Sequence, residues 1–144
     1  MKKAFSYIWP LTKNFSTVYN GNIEVTWFNG RKVLDSENAN YSFGTLEKVL
    51  DIGLSYSHAE RSSPVLVLGL GGGSVLGLLR EKYHFSGNIT AVEIDPVIIE
   101  IAKKEFDIER HGPLEIICAD AFDFVLNCQT KFGLVIIDIF IDVE

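Results

Sequence analysis

Three alternating glycines, Gly69, Gly71 and Gly73, follow the apolar run Val65-Leu66-Val67-Leu68, and three carboxylates, Glu93, Asp120 and Asp138, stand at or just past the ends of later apolar runs. Glycines in such a place let the backbone turn sharply and keep side chains away from a ligand. Val75, Leu76, Leu79 and Tyr83 then recur at helical spacing, so a loop of this kind presents backbone N–H groups and a helix N-terminus to whatever binds. Each group also has a purely structural reading. The glycines suit a tight turn, Glu93 an exposed strand end, and Asp120 an N-cap. Against these stand their chemical uses. A carboxylate at the end of the second strand of such a unit is placed to accept both hydroxyls of a ribose. One at position 120 can accept from an exocyclic amine. Asp138 would be costly to bury unpaired after four apolar residues, which favours a site role. The joint occurrence of loop and acids favours ligand binding.

The glycine spacing narrows the ligand. Gly69, Gly71 and Gly73 fit G-x-G-x-G, whereas the dinucleotide fingerprint requires Gly or Ala at 74, where this chain has Ser74. An adenosine-containing ligand without a pyrophosphate fits better. His58, His84 and His111 fall in polar or turn segments and read as surface residues.

Positioning these groups requires a strand–helix repeat. Val65–Leu68, buried on both faces, is the central strand, followed by the loop and a helix through Tyr83. Ile89 to Ile94 reads as the next strand, and Asp95-Pro96 as an N-cap with proline at the first helical position. Val97, Ile98, Ile101 and Ala102 would be the buried face of that helix. Leu114–Cys118 is a third strand, Asp120 starts a short helix through Leu126, and Leu134 to Asp138 is a fourth strand. Repeated in this way, the units predict an α/β, doubly wound parallel sheet with ligands at the carboxyl ends of its strands. Upstream, Phe15 to Tyr19, Ile23 to Phe28 and Arg31 to Leu34 are β-prone runs separated by Asn20-Gly21 and Asn29-Gly30. Asn-Gly suits turns that need positive φ, so a three-stranded antiparallel meander is expected, with Ile23, Val25 and Trp27 on its apolar face. A polar connector from Asp35 to Tyr41 leads to a helix from about Phe43 to Ser55, with Leu46, Val49, Leu50 and Leu54 at helical spacing. Residues 1–41 thus form a small β unit with its connector, and 42–144 the nucleoside-binding domain.

The net charge of −6 and the absence of a basic cluster beyond Lys2-Lys3 and Lys103-Lys104 argue against nucleic acid as the partner. Cys118 and Cys128 match no zinc spacing and make no disulfide framework; Cys118, closing an apolar run, reads as a buried reduced thiol. Neither a membrane-length apolar run nor a signal-peptide core is present, so the expected setting is soluble and cytoplasmic.

Val65 to Ser74, Val92-Glu93-Ile94-Asp95, Ala119-Asp120-Ala121 and Phe132 to Asp138 together resemble the class I S-adenosylmethionine-dependent methyltransferase fold, and more narrowly its polyamine aminopropyltransferase (spermidine synthase) branch. The meander and the segment Leu34 to Tyr41 resemble the N-terminal region of that branch. The resemblance implies a Rossmann-like sheet and a transferase using S-adenosylmethionine or its decarboxylated form. It also implies that Gly69, Leu70, Gly71, Gly72 and Gly73 pass under the donor's tail. Glu93, with Ile94 beside it, would hold the ribose, and Asp120, with Ala121, the adenine amine. Asp138 would sit beside the sulfonium and the incoming nucleophile, as the catalytic residue.

Three departures separate the chain from that branch. Aminopropyltransferases carry an aspartate at the position of Gly72, which favours a donor lacking the carboxylate. They follow the fourth-strand aspartate with small hydroxylic residues and Asp-Pro, where this chain has Ile139-Phe140-Ile141-Asp142. Their Tyr-His-Glu segment is replaced by Tyr41-Ser42-Phe43. The expected function is therefore methyl transfer on a spermidine-synthase-like scaffold to a small-molecule acceptor such as an amine. Aminopropyl transfer is the first alternative, and a non-catalytic nucleoside-binding or oligomeric module the second. Because the sequence ends at Glu144, just after an apolar fourth strand, the sheet is expected to be incomplete or its edge covered by a second copy in a homodimer.

Overall fold

The computed structural model describes Trp9 and residues 11–36 and 45–139. Its first unit is the meander β1 (Leu11–Thr17), β2 (Gly21–Phe28) and β3 (Arg31–Ser36), antiparallel in the order β1-β2-β3. Asn29 and Gly30, both at positive φ, are the two-residue loop between Phe28 and its partner Arg31, as Asn-Gly predicts. The first hairpin differs. Thr17 pairs with Gly21, leaving a three-residue loop, Val18 to Asn20, with Gly21 at φ +61°. A side-chain bond selects the longer loop: the Asn20 N–H donates to Thr17 Oγ1 at 2.7 Å. As a result β1 lies earlier in the chain than the sequence pattern suggests.

The second unit is a four-stranded parallel sheet in the order β6-β5-β4-β7, made from β4 (Val65–Leu68), β5 (Ile89–Glu93), β6 (Leu114–Cys118) and β7 (Leu134–Ile137). Register places Val65 beside both Ile89 and Leu134, and Ile89 beside Leu114. One face therefore carries Val65, Val67, Ile89, Ala91 and Ile136, packed under the helices α1 (Thr45–Ser55), α2 (Ser74–Gly77, continued by a π-helical turn to Lys82) and α3 (Pro96–Phe106). The opposite face carries Leu66, Leu68 and Val92, covered by Ala121 and Phe124 of α4 (Ala121–Asn127) and by Phe132. Helices on both faces of a parallel sheet give the doubly wound, Rossmann-like architecture.

One burial choice that the sequence pattern left open is decided, and one expectation is corrected. The buried stripe of α1 is Leu50 and Leu54, while Leu46 and Val49 face outward. Both pairs are compatible with helical spacing, and contact with the sheet selects the first. Cys118 is exposed rather than buried, because it is the last residue of β6, an outer strand of the sheet. Among the described residues, no helix is long and apolar enough to cross a membrane. The connector from residue 37 and the segment Tyr41-Ser42-Phe43 lie outside the described residues, as do Lys2-Lys3 and everything from Phe140 onward.

The meander and the sheet are joined through α3. One stripe of that helix, Ile99, Ala102 and Phe106, packs with the sheet core, and another, Ile98 and Ile101, packs with Ile23, Val25 and Leu34 of the meander. Burying each of these large aliphatic side chains stabilises by about 1.5–3 kcal/mol. A polar clamp closes the same junction: Lys13 and Lys32 both donate to the Glu105 carboxylate, and Lys32 also to the Glu105 carbonyl. Burial alone would raise the Glu105 pKa, but the two lysines outweigh it and hold it below the usual glutamate range. A lowered carboxylate pKa stabilises the folded state at neutral pH, and that contribution is lost as pH falls through the folded pKa. Glu105→Gln is expected to cost about 1–2 kcal/mol and to remove this acid sensitivity from the docking of the meander. Amide hydrogen exchange in β1 and β2 at pH 7 and pH 4 would measure both effects; equal protection in the variant and the parent at pH 7 would reject the clamp.

Candidate functional site

The loop after β4 adopts the geometry that its glycines allow. Gly69, Gly71 and Gly73 lie at φ +91°, +50° and +75°, in the left-handed region that side chains rarely enter. Gly72, between them, is buried and is not one of the left-handed glycines. Leu70 is buried in the main core and pins the loop from below. The turn closes with the Gly73 N–H donating to the Leu70 carbonyl at 2.9 Å, and the Leu76 N–H to Gly73 at 3.0 Å starts α2.

Backbone bonds then align the strand ends. The Gly69 N–H donates to the Val92 carbonyl at 2.9 Å, the Asp138 N–H to Leu68 at 2.8 Å, and the Ala119 N–H to Glu93 at 3.0 Å. Gly69, Glu93, Ala119-Asp120 and Asp138 thus stand along one edge of the sheet, at the carboxyl ends of four neighbouring strands. The start of the glycine loop and the three acids singled out in the sequence thus share that edge. Gly69 is packed so closely against the end of β7 that a Cβ built on it would lie 2.1 Å from the Asp138 carbonyl oxygen.

Glu93 is engaged with the loop itself. Its Oε2 accepts from the Leu70 N–H at 3.0 Å and, weakly, from the Gly71 N–H at 3.5 Å; its Oε1 accepts from the Asp95 N–H at 3.1 Å. Two N–H groups expected to face a ligand are therefore directed at the carboxylate. A carboxylate has about four lone-pair sites, so two well-made bonds leave capacity for a diol. Asp120 caps α4, its Oδ1 accepting from the Phe122 N–H at 2.8 Å and the Asp123 N–H at 3.1 Å. Both bonds fall on the same oxygen, and the side chain is exposed at the sheet edge. Asp138 is half-buried, and that burial raises its pKa above the usual aspartate range.

Two residues carry more than their sequence reading. Asp95 is the N-cap of α3, accepting from the Val97 N–H at 2.9 Å, but it is also almost wholly buried at 1% exposure and accepts from Asn20 Nδ2 at 2.7 Å. Asn20 read only as a turn residue; its link to position 95 is a tertiary contact that local patterning does not encode. His111, expected at the surface, is 6% exposed. It closes a 3₁₀ turn (Ile108–His111) in which residues three apart share a face, so it turns inward with Ile108. Burial, with Arg110 beside it, lowers its pKa and favours the neutral imidazole. His58 and His84 are exposed, as expected.

Comparison with known proteins shows the family of the chain. Residues 45–143, most of the chain, match the model of the spermine/spermidine synthase domain. The chain belongs to that family. Among curated relatives of this spermine/spermidine synthase domain, the eEF1A lysine and N-terminal methyltransferase homolog of Drosophila melanogaster is 32% identical over 95 residues, covering 62% of this chain and 14% of that protein. Polyamine aminopropyltransferase 2 of Aquifex aeolicus is 36% identical over 90 residues, covering 58% of this chain and 18% of that protein. The chain thus spans less than a fifth of the length of either relative. A solved probable spermidine synthase from Corynebacterium glutamicum superposes with a TM-score of 0.59 at 18% identity, over 94% of this chain and 50% of that one. This establishes the shared fold, including the meander that lies outside the matched domain.

Proposed function

We propose that this domain binds S-adenosylmethionine and serves methyl transfer to an amine, on the scaffold of a spermidine synthase. Membership of the spermine/spermidine synthase domain family supports a sulfonium nucleoside as the ligand class. The residues present suit such a donor: a loop with three left-handed glycines for its tail, a carboxylate with lone pairs to spare for a ribose, and a second acid at the end of β6. The relatives support an amine as the acceptor, one being named for lysine and N-terminal methylation and the other for polyamine aminopropyl transfer. Amines are common to both.

The observation that favours methyl over aminopropyl transfer is Gly72. Its backbone is not left-handed, so an aspartate, as found in the aminopropyltransferases that this loop resembles, would carry no left-handed backbone strain there. The absence of that side chain removes a charge that would oppose the carboxylate of S-adenosylmethionine. Like charges about 4 Å apart repel by roughly 1–4 kcal/mol, depending on solvent exposure.

The donor supplies an already activated methyl group on a sulfonium. What this chain contributes is placement: the left-handed loop and Glu93 fix the donor, and Asp138 lies on the neighbouring strand end, where an acceptor would arrive. An amine attacks only with its lone pair free, and a carboxylate of raised pKa is suited to orienting it and accepting its proton.

Calorimetric titration with S-adenosylhomocysteine, its decarboxylated analogue and methylthioadenosine tests the reading. Tighter binding of the carboxylate-bearing ligand is expected. Preference for the decarboxylated ligand would favour aminopropyl transfer, and binding of none would leave a module without a donor site. Gly72→Asp is expected to weaken S-adenosylhomocysteine by about fivefold or more while sparing the decarboxylated ligand, since one like charge close by is worth at least ~1 kcal/mol. Equal effects on both ligands would remove the argument for methyl transfer.

A further inference from the structure

We propose that Asn20, at the tip of the first hairpin, is a positioning residue for the donor site, acting through Asp95 on Glu93. The inference rests on the reading of Glu93 as the ribose acceptor and identifies what holds that acid in place.

The observation is a continuous set of hydrogen bonds from the meander to the glycine loop. Asn20 Nδ2 donates to Asp95 Oδ2 at 2.7 Å, the Asp95 N–H donates to Glu93 Oε1 at 3.1 Å, and Glu93 Oε2 accepts from the Leu70 N–H at 3.0 Å. Asp95 is the hinge of this set. It is almost fully buried, and a buried carboxylate needs a donor on each oxygen. Oδ1 is served by the Val97 N–H from its own helix at 2.9 Å. Oδ2 takes its bond from Asn20, which lies 75 residues away in sequence and in the other sheet unit.

Asn20 is itself held firmly. Its N–H donates to Thr17 Oγ1, and the hairpin behind it is docked on α3 by Ile23, Val25 and Leu34 packing with Ile98 and Ile101, and by Lys13 and Lys32 on Glu105. The meander therefore does more than cover apolar surface. It delivers one amide to the turn between β5 and α3, and that turn carries both the cap of α3 and the backbone donor to Glu93. Removing the amide leaves Asp95 Oδ2 without that donor in a buried place. The 93–95 turn then relaxes, and Glu93 with it.

The test uses the whole chain and S-adenosylhomocysteine as the probe, with thermal melting of the unliganded protein alongside. Asn20→Ala is expected to weaken binding roughly threefold to tenfold, the loss of one hydrogen bond behind a binding residue. Asn20→Asp should weaken it further, because two carboxylates then face each other in a buried site. The exchanged pair Asn20→Asp with Asp95→Asn should bind within about twofold of the parent, since the amide at 95 then donates to the carboxylate at 20 and asparagine still caps the helix. A residue of merely structural importance would not show this recovery. Unchanged binding in Asn20→Ala would overturn the inference alone, as would an exchanged pair no better than Asn20→Asp. Absence of binding by the parent chain would overturn the donor-site reading and this inference with it.

Discussion

Gly69→Ala is expected to cost at least ~3 kcal/mol and to lower the melting temperature by about 10 °C or more, with loss of donor binding. Two independent penalties coincide at this position. The backbone at φ +91° is one that an alanine rarely adopts. The added Cβ would lie 2.1 Å from the Asp138 carbonyl oxygen and 2.7 Å from its carbonyl carbon, both backbone atoms that no rotamer change can move aside. Relief requires the ends of β4 and β7 to separate, which breaks the bond from the Asp138 N–H to Leu68 and displaces the candidate catalytic acid. Gly53→Ala is the internal control. It lies within α1, a Cβ there meets nothing within 4 Å, and alanine should stabilise the helix by about 0.5–1 kcal/mol. Thermal melts of the two variants side by side decide the matter: a Gly69→Ala protein that melts with the parent would show that the strand ends are not locked together.

The second large effect is expected at Glu93. Glu93→Ala should weaken S-adenosylhomocysteine by about 1.5–3 kcal/mol, roughly 10- to 150-fold, by removing charge-assisted bonds to a ribose. It should also loosen the glycine loop, because the Leu70 and Asp95 N–H groups lose the carboxylate that accepts from them. Glu93→Gln separates these two losses. The amide oxygen can still accept from the loop, but without the charge, so melting should recover more fully than affinity. Titration calorimetry of both variants gives the answer, and an affinity unchanged in Glu93→Ala would remove Glu93 from the ribose.

These effects were legible to very different degrees before the tertiary structure was known. The alternation of Gly69, Gly71 and Gly73 maps one-to-one onto left-handed backbone, because positive φ is a local demand that residue type answers. Asn29-Gly30 was readable for the same reason. Apolar runs and caps likewise placed the four parallel strands, the N-cap at Asp95 and that at Asp120 within a residue or so. Strand ends in such a sheet fall on one edge, so the convergence of the glycine loop, Glu93, Asp120 and Asp138 followed from topology alone.

What local pattern left open was every choice between equivalent local solutions. The helix α1 carries two apolar stripes, and only contact with the sheet buries Leu50 and Leu54 while leaving Leu46 and Val49 outside. Asn20-Gly21 permits two loop lengths, and the Thr17 hydroxyl together with the docking of the hairpin settled on three residues. Cys118 and His111 exchanged their expected environments, because an outer strand exposes the end of an apolar run and a 3₁₀ turn carries a polar residue inward. The bonds Asn20–Asp95 and Glu93–Leu70 join residues 75 and 23 positions apart. The sequence by itself thus determined which residues reach the candidate site edge, since strand direction and glycine conformation are short-range properties. Only the tertiary structure decided what holds those residues in place, since buried carboxylates take their donors from whichever chain segment packing brings beside them.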